Sequence, residues 1–358
     1  MNIDCVHFYV EDAVAVRQWF ERSLSFQVRA RGGDRNTQIE IVQSGAIIFV
    51  IAAPRTSQSP VAAFLRQHPP GVADVTFATL DLATVLQQAE SQKAQIVSSV
   101  HEQKWQQGRV KWCKIKSIAG IEHTLIERHG LTPILPQYDL NYYPVLPENS
   151  PLFAAIDHIV LNVAAGELQT TATWYEKALG FARQQWFDIH TPRSGLLSQV
   201  LVHPETGTRF PVNEPTSPSS QIQEFLNAHQ GAGIQHIALK TPHIIHAVQQ
   251  LQQARVSFLD VPSAYYEQLQ TRSPDLPLTA SEWDAIAHLK ILADRQPQAQ
   301  QTSQLLLQIF TQPIFEQPTF FFELIERRDR AEGFGEGNFQ ALFEAIERQN
   351  QQLSVNNT

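Results

Sequence analysis

One pattern of strands and helices occurs twice in this chain, and the two copies differ at three positions that carry chemistry. Ile3-Asp4-Cys5-Val6-His7-Phe8-Tyr9-Val10 returns as Ile156-Asp157-His158-Ile159-Val160-Leu161-Asn162-Val163. Gly71-Val72-Ala73-Asp74-Val75-Thr76 returns as Gly233-Ile234-Gln235-His236-Ile237-Ala238. His123-Thr124-Leu125-Ile126-Glu127-Arg128 returns as Phe322-Glu323-Leu324-Ile325-Glu326-Arg327. Where the first copy has Cys5, Asp74 and Thr124, the second has His158, His236 and Glu323. The chain reads as a duplicated module in which only one copy can hold a metal.

With 358 residues the chain exceeds one ordinary core. Each half offers a strand, a helix and hairpin-like strands, then a second strand, an amphipathic helix and a closing β-rich run. The clearest hairpin is predicted around Ser44-Gly45. This order predicts an α+β fold of paired βαβββ modules, forming two half-open barrels. Pro133, Pro136, Pro144, Pro147 and Pro151 crowd one stretch and resist both helix and central strand. The expected division is a non-catalytic pair of modules over 1–130, a linker over 131–151 and a catalytic pair over 152–358. An insertion over roughly 263–304 lengthens the second half. A terminal helix over 339–352 follows Gly333-Phe334-Gly335-Glu336-Gly337-Asn338, as a lid over the site would.

Composition narrows the function. A net charge of −8 offers no basic tract for a phosphate backbone, so nucleic acid is not an expected partner. No basic region followed by an apolar one opens the chain, and the longest apolar run, Ala46 to Ala53, is too short to span a bilayer. With only Cys5 and Cys113 there is no disulfide framework. A cytoplasmic protein without membrane contact is the expectation, assembled from two or four copies.

His158, His236 and Glu323 lie 78 and 87 residues apart, so they form a site only if their strands lie side by side. Two neutral imidazoles and one carboxylate on one face of Fe(II) leave the opposite face open for a chelating substrate and dioxygen. A single histidine is more often a satisfied core group, but three such residues at the points where the copies diverge favour a ligand set. His243 and His246, three apart at a helix start, form a rival pair without a carboxylate partner and read as a solvated face.

Several polar side chains stand in apolar frames: Ser194, Asn213, Gln221, Gln235 and Gln308. A buried amide survives only if it is hydrogen-bonded. Neutral amides and hydroxyls beside a metal would suit a substrate with a phenol and a ketoacid. Phe310 and Phe321 read as core when taken alone. Phe334 and Phe339 flank a glycine-rich stretch and suit a gate.

The motifs together resemble the 4-hydroxyphenylpyruvate dioxygenase family of the vicinal-oxygen-chelate superfamily. Those carrying the likeness are Ile156-Asp157-His158, Ser194-Gly195-Leu196, Pro211-Val212-Asn213-Glu214-Pro215, Gly231-Ala232-Gly233-Ile234-Gln235-His236, Leu306-Leu307-Gln308-Ile309-Phe310-Thr311, Phe321-Phe322-Glu323 and Gly333 through Phe339. The resemblance implies Fe(II) held by His158, His236 and Glu323. It implies 4-hydroxyphenylpyruvate and dioxygen as substrates, and homogentisate and carbon dioxide as products, a step in tyrosine catabolism. It implies that Gln235, Gln308 and Asn213 position the reacting groups. Ser194 and Gln221 join them in holding substrate, Phe310, Phe321, Phe334 and Phe339 wall the ring pocket, and Asn338 stands at the gate. No general base is required, because metal and oxygen carry the chemistry and the protein supplies orientation and a dry cavity. Leu197 departs from the family's usual asparagine, and the stretch over 294–304 is longer than its usual hairpin.

Three rivals remain. Hydroxymandelate synthase uses the same triad and substrate, but its counterparts lack Pro211-x-Asn213 and carry an aliphatic residue at Phe339. An extradiol catechol dioxygenase would need a histidine acid/base near the metal. A protein of the same fold could also bind a ligand without chemistry.

Overall fold

The computed structural model describes residues 1–144, 151–190, 195–295 and 304–338. Four βαβββ modules follow one another. The first is β1 (Asn2–Tyr9), α1 (Ala13–Leu24), β2 (Gln27–Gly33), β3 (Thr37–Ser44) and β4 (Ile47–Pro54). Helix α2 (Pro60–Leu65) leads to the second: β5 (Gly71–Ala78), α3 (Leu82–Ser91), β6 (Gln95–Trp105), β7 (Gly108–Lys116) and β8 (Glu122–Gly130). After β9 (Asp139–Tyr142) comes the third: β10 (Ala155–Asn162), α4 (Leu168–Leu179), β11 (Ala182–His190), β12 (Gly195–Val202) and β13 (Arg209–Pro215). Helix α5 (Gln221–His229) leads to the fourth: β14 (Gly233–Lys240), α6 (Ile244–Gln253), α7 (Ser263–Arg272), α8 (Ala280–Leu289), β15 (Leu292–Arg295), β16 (Leu305–Phe310) and β17 (Phe321–Arg328). The terminal helix expected over 339–352 lies outside the described residues.

Each pair of modules shares one curled sheet. The first runs β6-β7-β8-β5-β1-β4-β3-β2-β9, and the second β11-β12-β13-β10-β14-β17-β16-β15. At each centre two strands pair antiparallel, β1 with β5 and β10 with β14, flanked by parallel partners β4, β8, β13 and β17. Two details differ from the sequence expectation. The proline-rich stretch is not all linker, because β9, a four-residue segment without proline, pairs with β2 at the sheet edge. The stretch read as an insertion is also partly module, since β15 pairs with β16. Four residues at an edge show too little alternation to be recognised as a strand.

Alternation along the strands decides what faces the site. On β10, Ile159 and Leu161 enter the main apolar core, while His158, Val160 and Asn162 take the other, concave face. On β17, Phe322 and Leu324 point into that core and Glu323 away from it. The core joins both halves: Phe8 meets Phe320 edge-on at 5.1 Å, and Trp19 stacks on Phe322 at 6.5 Å. Burial of such aromatic surface stabilises the contact between the halves.

The duplication extends to polar joints. Asp4 with Arg128, and Asp157 with Arg327, form the same two-pronged ion pair between first and last strands. Glu127 and Glu326 each accept from the first-turn N–H of the helix beside them, Leu82 at 2.9 Å and Ile244 at 2.7 Å. A carboxylate there meets the positive end of the helix dipole. Even the strand irregularities recur, between Ile3 and Cys5 and between Ile156 and His158. A bulge re-aims the side chains beside it, which here include the first candidate ligand.

Candidate metal centre

Three neighbouring strands bring the candidate ligands together. Register places His158 opposite Ala238 and Ala238 opposite Glu323, with His236 one pleat along, opposite Val160 and Phe321. Because side chains two apart share a face, His158, His236 and Glu323 converge on the concave side. All three are buried, and each offers a donor atom within 4.8 Å of the others. Nε2 of His158 lies 3.1 Å from Oε2 of Glu323, and Nε2 of His236 lies 3.6 Å from the same oxygen. Donors about 2.1 Å from an octahedral ion stand roughly 3 Å apart along an edge, and the two separations to Glu323 approach that spacing. The donor types, two imidazoles and a carboxylate, fit a divalent transition metal. Among the described residues no other cluster of this kind occurs.

The residue before each histidine orients it. Asp157 Oδ1 lies 3.0 Å from Nδ1 of His158, and Gln235 Oε1 lies 3.3 Å from Nδ1 of His236. Each bond fixes the ring with Nε2 turned inward, the arrangement metal-binding histidines generally use. Burial works against charge on Asp157, yet the Arg327 fork and His158 outweigh it and hold its carboxyl far below the usual range. Burial likewise opposes charge on His158, but Glu323 and Asp157 raise its pKa. His236 is driven well below its ordinary value by burial, reinforced by His158.

A cavity opens beside the ligands, lined by His158, Val160, Phe187, Ser198, Val200, Pro211, Asn213, His236, Gln308, Phe310, Glu323 and Phe334. Of the sequence candidates, Asn213, Gln308, Phe310 and Phe334 therefore lie on its wall. Gln308 donates to Glu323 Oε1 at 3.4 Å and accepts from Asn338 Nδ2 at 3.1 Å, while Asn338 accepts from the Tyr265 hydroxyl at 2.6 Å. Gly335, at φ +76, makes room for this: a Cβ there would fall 1.7 Å from Gln308 Oε1.

Gln235, Phe321, Asn338 and Gln221 stand off the wall. Gln235 bonds a ligand imidazole, Phe321 stacks on His236 at 4.8 Å, Asn338 braces Gln308, and Gln221 opens α5. Ser194 and Phe339 lie outside the described residues. Sequence reasoning did not name Val160, Phe187, Ser198, Val200 and Pro211 as site residues, although Pro211 stands in one of the motifs. Two of them could have been found by counting two along a strand, from His158 to Val160 and from Asn213 to Pro211. Ser198 required the register, which sets it opposite Asn213.

The first copy shows what the same frame does without ligands. Asp74, at the place of His236, accepts from the hydroxyl of Thr124, at the place of Glu323, at 2.6 Å. It also lies 2.9 Å from the Lys114 ammonium. Ile134, Leu135 and Tyr138 from the stretch after β8 pack with Cys5 and Tyr9 in an apolar cluster. A lysine and an apolar plug occupy this face.

The chain is similar to known proteins over nearly its whole length. Residues 155–274 match the Glyoxalase/Bleomycin resistance protein/Dioxygenase superfamily. The chain is 35% identical over 364 residues to 4-hydroxyphenylpyruvate dioxygenase of Dictyostelium discoideum, spanning 97% of this chain and 98% of that protein. It is 33% identical over 363 residues to the enzyme of the same name from Caenorhabditis elegans, spanning 96% and 90%. A triple mutant of 4-hydroxymandelate synthase from Streptomyces coelicolor superposes with a TM-score of 0.87 at 27% identity, covering 98% of both chains. No helix among the described residues is long and apolar enough to cross a membrane. The family of dioxygenases to which this chain belongs is that of 4-hydroxyphenylpyruvate dioxygenase.

Proposed function

We propose that the protein is an Fe(II)-dependent 4-hydroxyphenylpyruvate dioxygenase, converting that ketoacid and dioxygen to homogentisate and carbon dioxide. The observation that carries the reading is the convergence of His158, His236 and Glu323 beside a cavity walled by neutral amides and phenylalanines. The bound metal would supply oxygen activation and a chelation point for the ketoacid.

This chain's own residues do the rest. Glu323 and the two histidines hold the ion, with Asp157 and Gln235 keeping each Nε2 turned toward it. Gln308, bonded at both ends, presents a fixed amide to the cavity. Asn213, donating to Asn162 at 3.3 Å, presents another. Among the described residues no carboxylate other than Glu323 lines the wall, so a neutral phenol is met by amide and hydroxyl groups. Phe187, Phe310 and Phe334 exclude water and set the plane of an aromatic ring. The space between them is narrow, about 60 Å³, room for a few water molecules. An arylpyruvate is larger than this space, so the wall must open to admit it.

The test is product identity. Purified protein with Fe(II), dioxygen and 4-hydroxyphenylpyruvate should yield homogentisate and consume oxygen in equal measure, read by mass spectrometry and an oxygen electrode. The structural likeness to hydroxymandelate synthase supports a second reading, hydroxylation of the side chain. Hydroxymandelate as sole product would establish it.

A further inference from the structure

We propose that Arg327 is a positioning residue that couples the metal centre to the segment closing the cavity, residues 331–338. The proposal rests on reading His158, His236 and Glu323 as the metal centre. Its basis is a ring of contacts that closes on itself. The Arg327 side chain is 5% exposed, and its Nε and Nη2 each donate to Asp157 at 2.7 Å. The Asp157 oxygen that receives Nη2 also bonds Nδ1 of His158. The remaining nitrogen, Nη1, donates to the carbonyls of Ala331 at 3.1 Å and Gly333 at 2.8 Å. Phe334 follows, and its ring returns to meet His158 edge-on at 5.0 Å, with the Arg327 guanidinium 5.8 Å from its centroid.

Only arginine can serve both directions, because its planar fork grips a carboxylate with two donors and keeps others free. An imidazole whose Nε2 is committed to a cation donates more strongly through Nδ1, and this tightens Asp157 and thereby Arg327. The link runs backward by thermodynamic necessity. Withdrawing the backbone of 331–334 takes Phe334 off one side of His158 and strips Arg327 of two acceptors.

The first copy separates this role from a purely structural one. Arg128 grips Asp4 at 3.0 and 2.9 Å and holds the carbonyls of Pro133 and Ile134, so the joint itself belongs to the module. There Asp4 precedes Cys5, which has no imidazole N–H to offer. The second copy adds the histidine bond and the returning phenylalanine to the same joint.

Hydrogen–deuterium exchange with and without Co(II), together with calorimetric Co(II) titration, tests this on wild type, Arg327→Lys and Arg128→Lys. In wild type Co(II) should slow exchange across 331–338. Arg327→Lys should abolish that slowing and weaken Co(II) binding by about 10- to 100-fold. Arg128→Lys should leave both unchanged and speed exchange only near 132–134. Wild type that binds Co(II) without slowing exchange, or an Arg327→Lys protein that keeps both properties, overturns the proposal. Should Arg327→Lys not fold, the wild-type comparison decides alone. Wild type that binds no Co(II) would remove the metal-centre reading itself, a result distinct from loss of coupling.

Discussion

The Lys114 ammonium lies 2.9 Å from the Asp74 carboxylate, whose oxygens also receive the Thr124 hydroxyl and backbone N–H. Asp74 and Thr124 stand where the second copy has His236 and Glu323. One copy thus carries its own permanent cation, where the other has the residues proposed to hold a metal ion. Burial opposes both charges, yet the pairing outweighs it, depressing the Asp74 carboxyl and raising Lys114 well above its ordinary value.

Removing that cation should cost stability without touching the metal centre. Lys114→Met leaves Asp74 charged and unpaired in a buried site, and breaking such a pair costs about 3–5 kcal/mol. Urea unfolding measures the loss. Metal content should stay at one ion per chain, and an unchanged unfolding midpoint would rule out the pair as a structural element.

Glu323→Ala should abolish turnover, because two imidazoles alone supply neither the third donor nor the balancing charge. Bound iron, read by elemental analysis after gel filtration, should fall together with activity. Substantial residual turnover would remove Glu323 from the ligand set.

Gly335→Ala tests the brace behind the cavity. The new methyl would collide with Gln308, and the left-handed φ of +76 adds strain of about 1–3 kcal/mol. Gln308 must swing away from Asn338 and Glu323, so KM for the ketoacid should rise about tenfold, the worth of one lost hydrogen bond. Iron content should hold. An unaltered KM would count against a substrate-facing role for Gln308.

Acid should destabilise the protein between about pH 6.5 and pH 4. Burial is the first cause holding His7, His123 and His229 neutral, with each pKa lowered to about 4. The unfolded chain takes up these protons below its ordinary value of 6.5 and the folded one does not, so stability falls as pH drops through that window. Below the folded value the loss levels off. With three such groups the slope reaches about 4 kcal/mol per pH unit. In the metal-free protein His158 and His236 shift in opposite directions, so their contributions oppose each other. Denaturant midpoints measured from pH 7 to pH 4 check the sign, and a flat profile contradicts it.

Much of this was legible in the residues. The repeated Ile-Asp-x and Glu-Arg segments mark equivalent strands, and substitution at equivalent places singles out His158, His236 and Glu323. Those three are adjacent donors in the folded protein. Gln235 and Phe321 were recognisable as special, but their contacts, an imidazole bond and an imidazole stack, depend on which rotamer the packing selects. Ser198, between Leu197 and Gln199, acquires Asn213 as a neighbour only when β12 lies against β13.

By itself, then, the sequence determined the module, its duplication and the chemistry of the candidate ligands, since strand alternation and donor type are properties of short segments. Only the tertiary structure decided that Ala238 would align His158 with Glu323, that Lys114 would stand beside Asp74, and that Arg327 would hold both Asp157 and the chain before Phe334. Those relations join residues up to 170 positions apart. Sheet order, register and bulges create them, and these are settled by long-range pairing and shared burial rather than by local pattern.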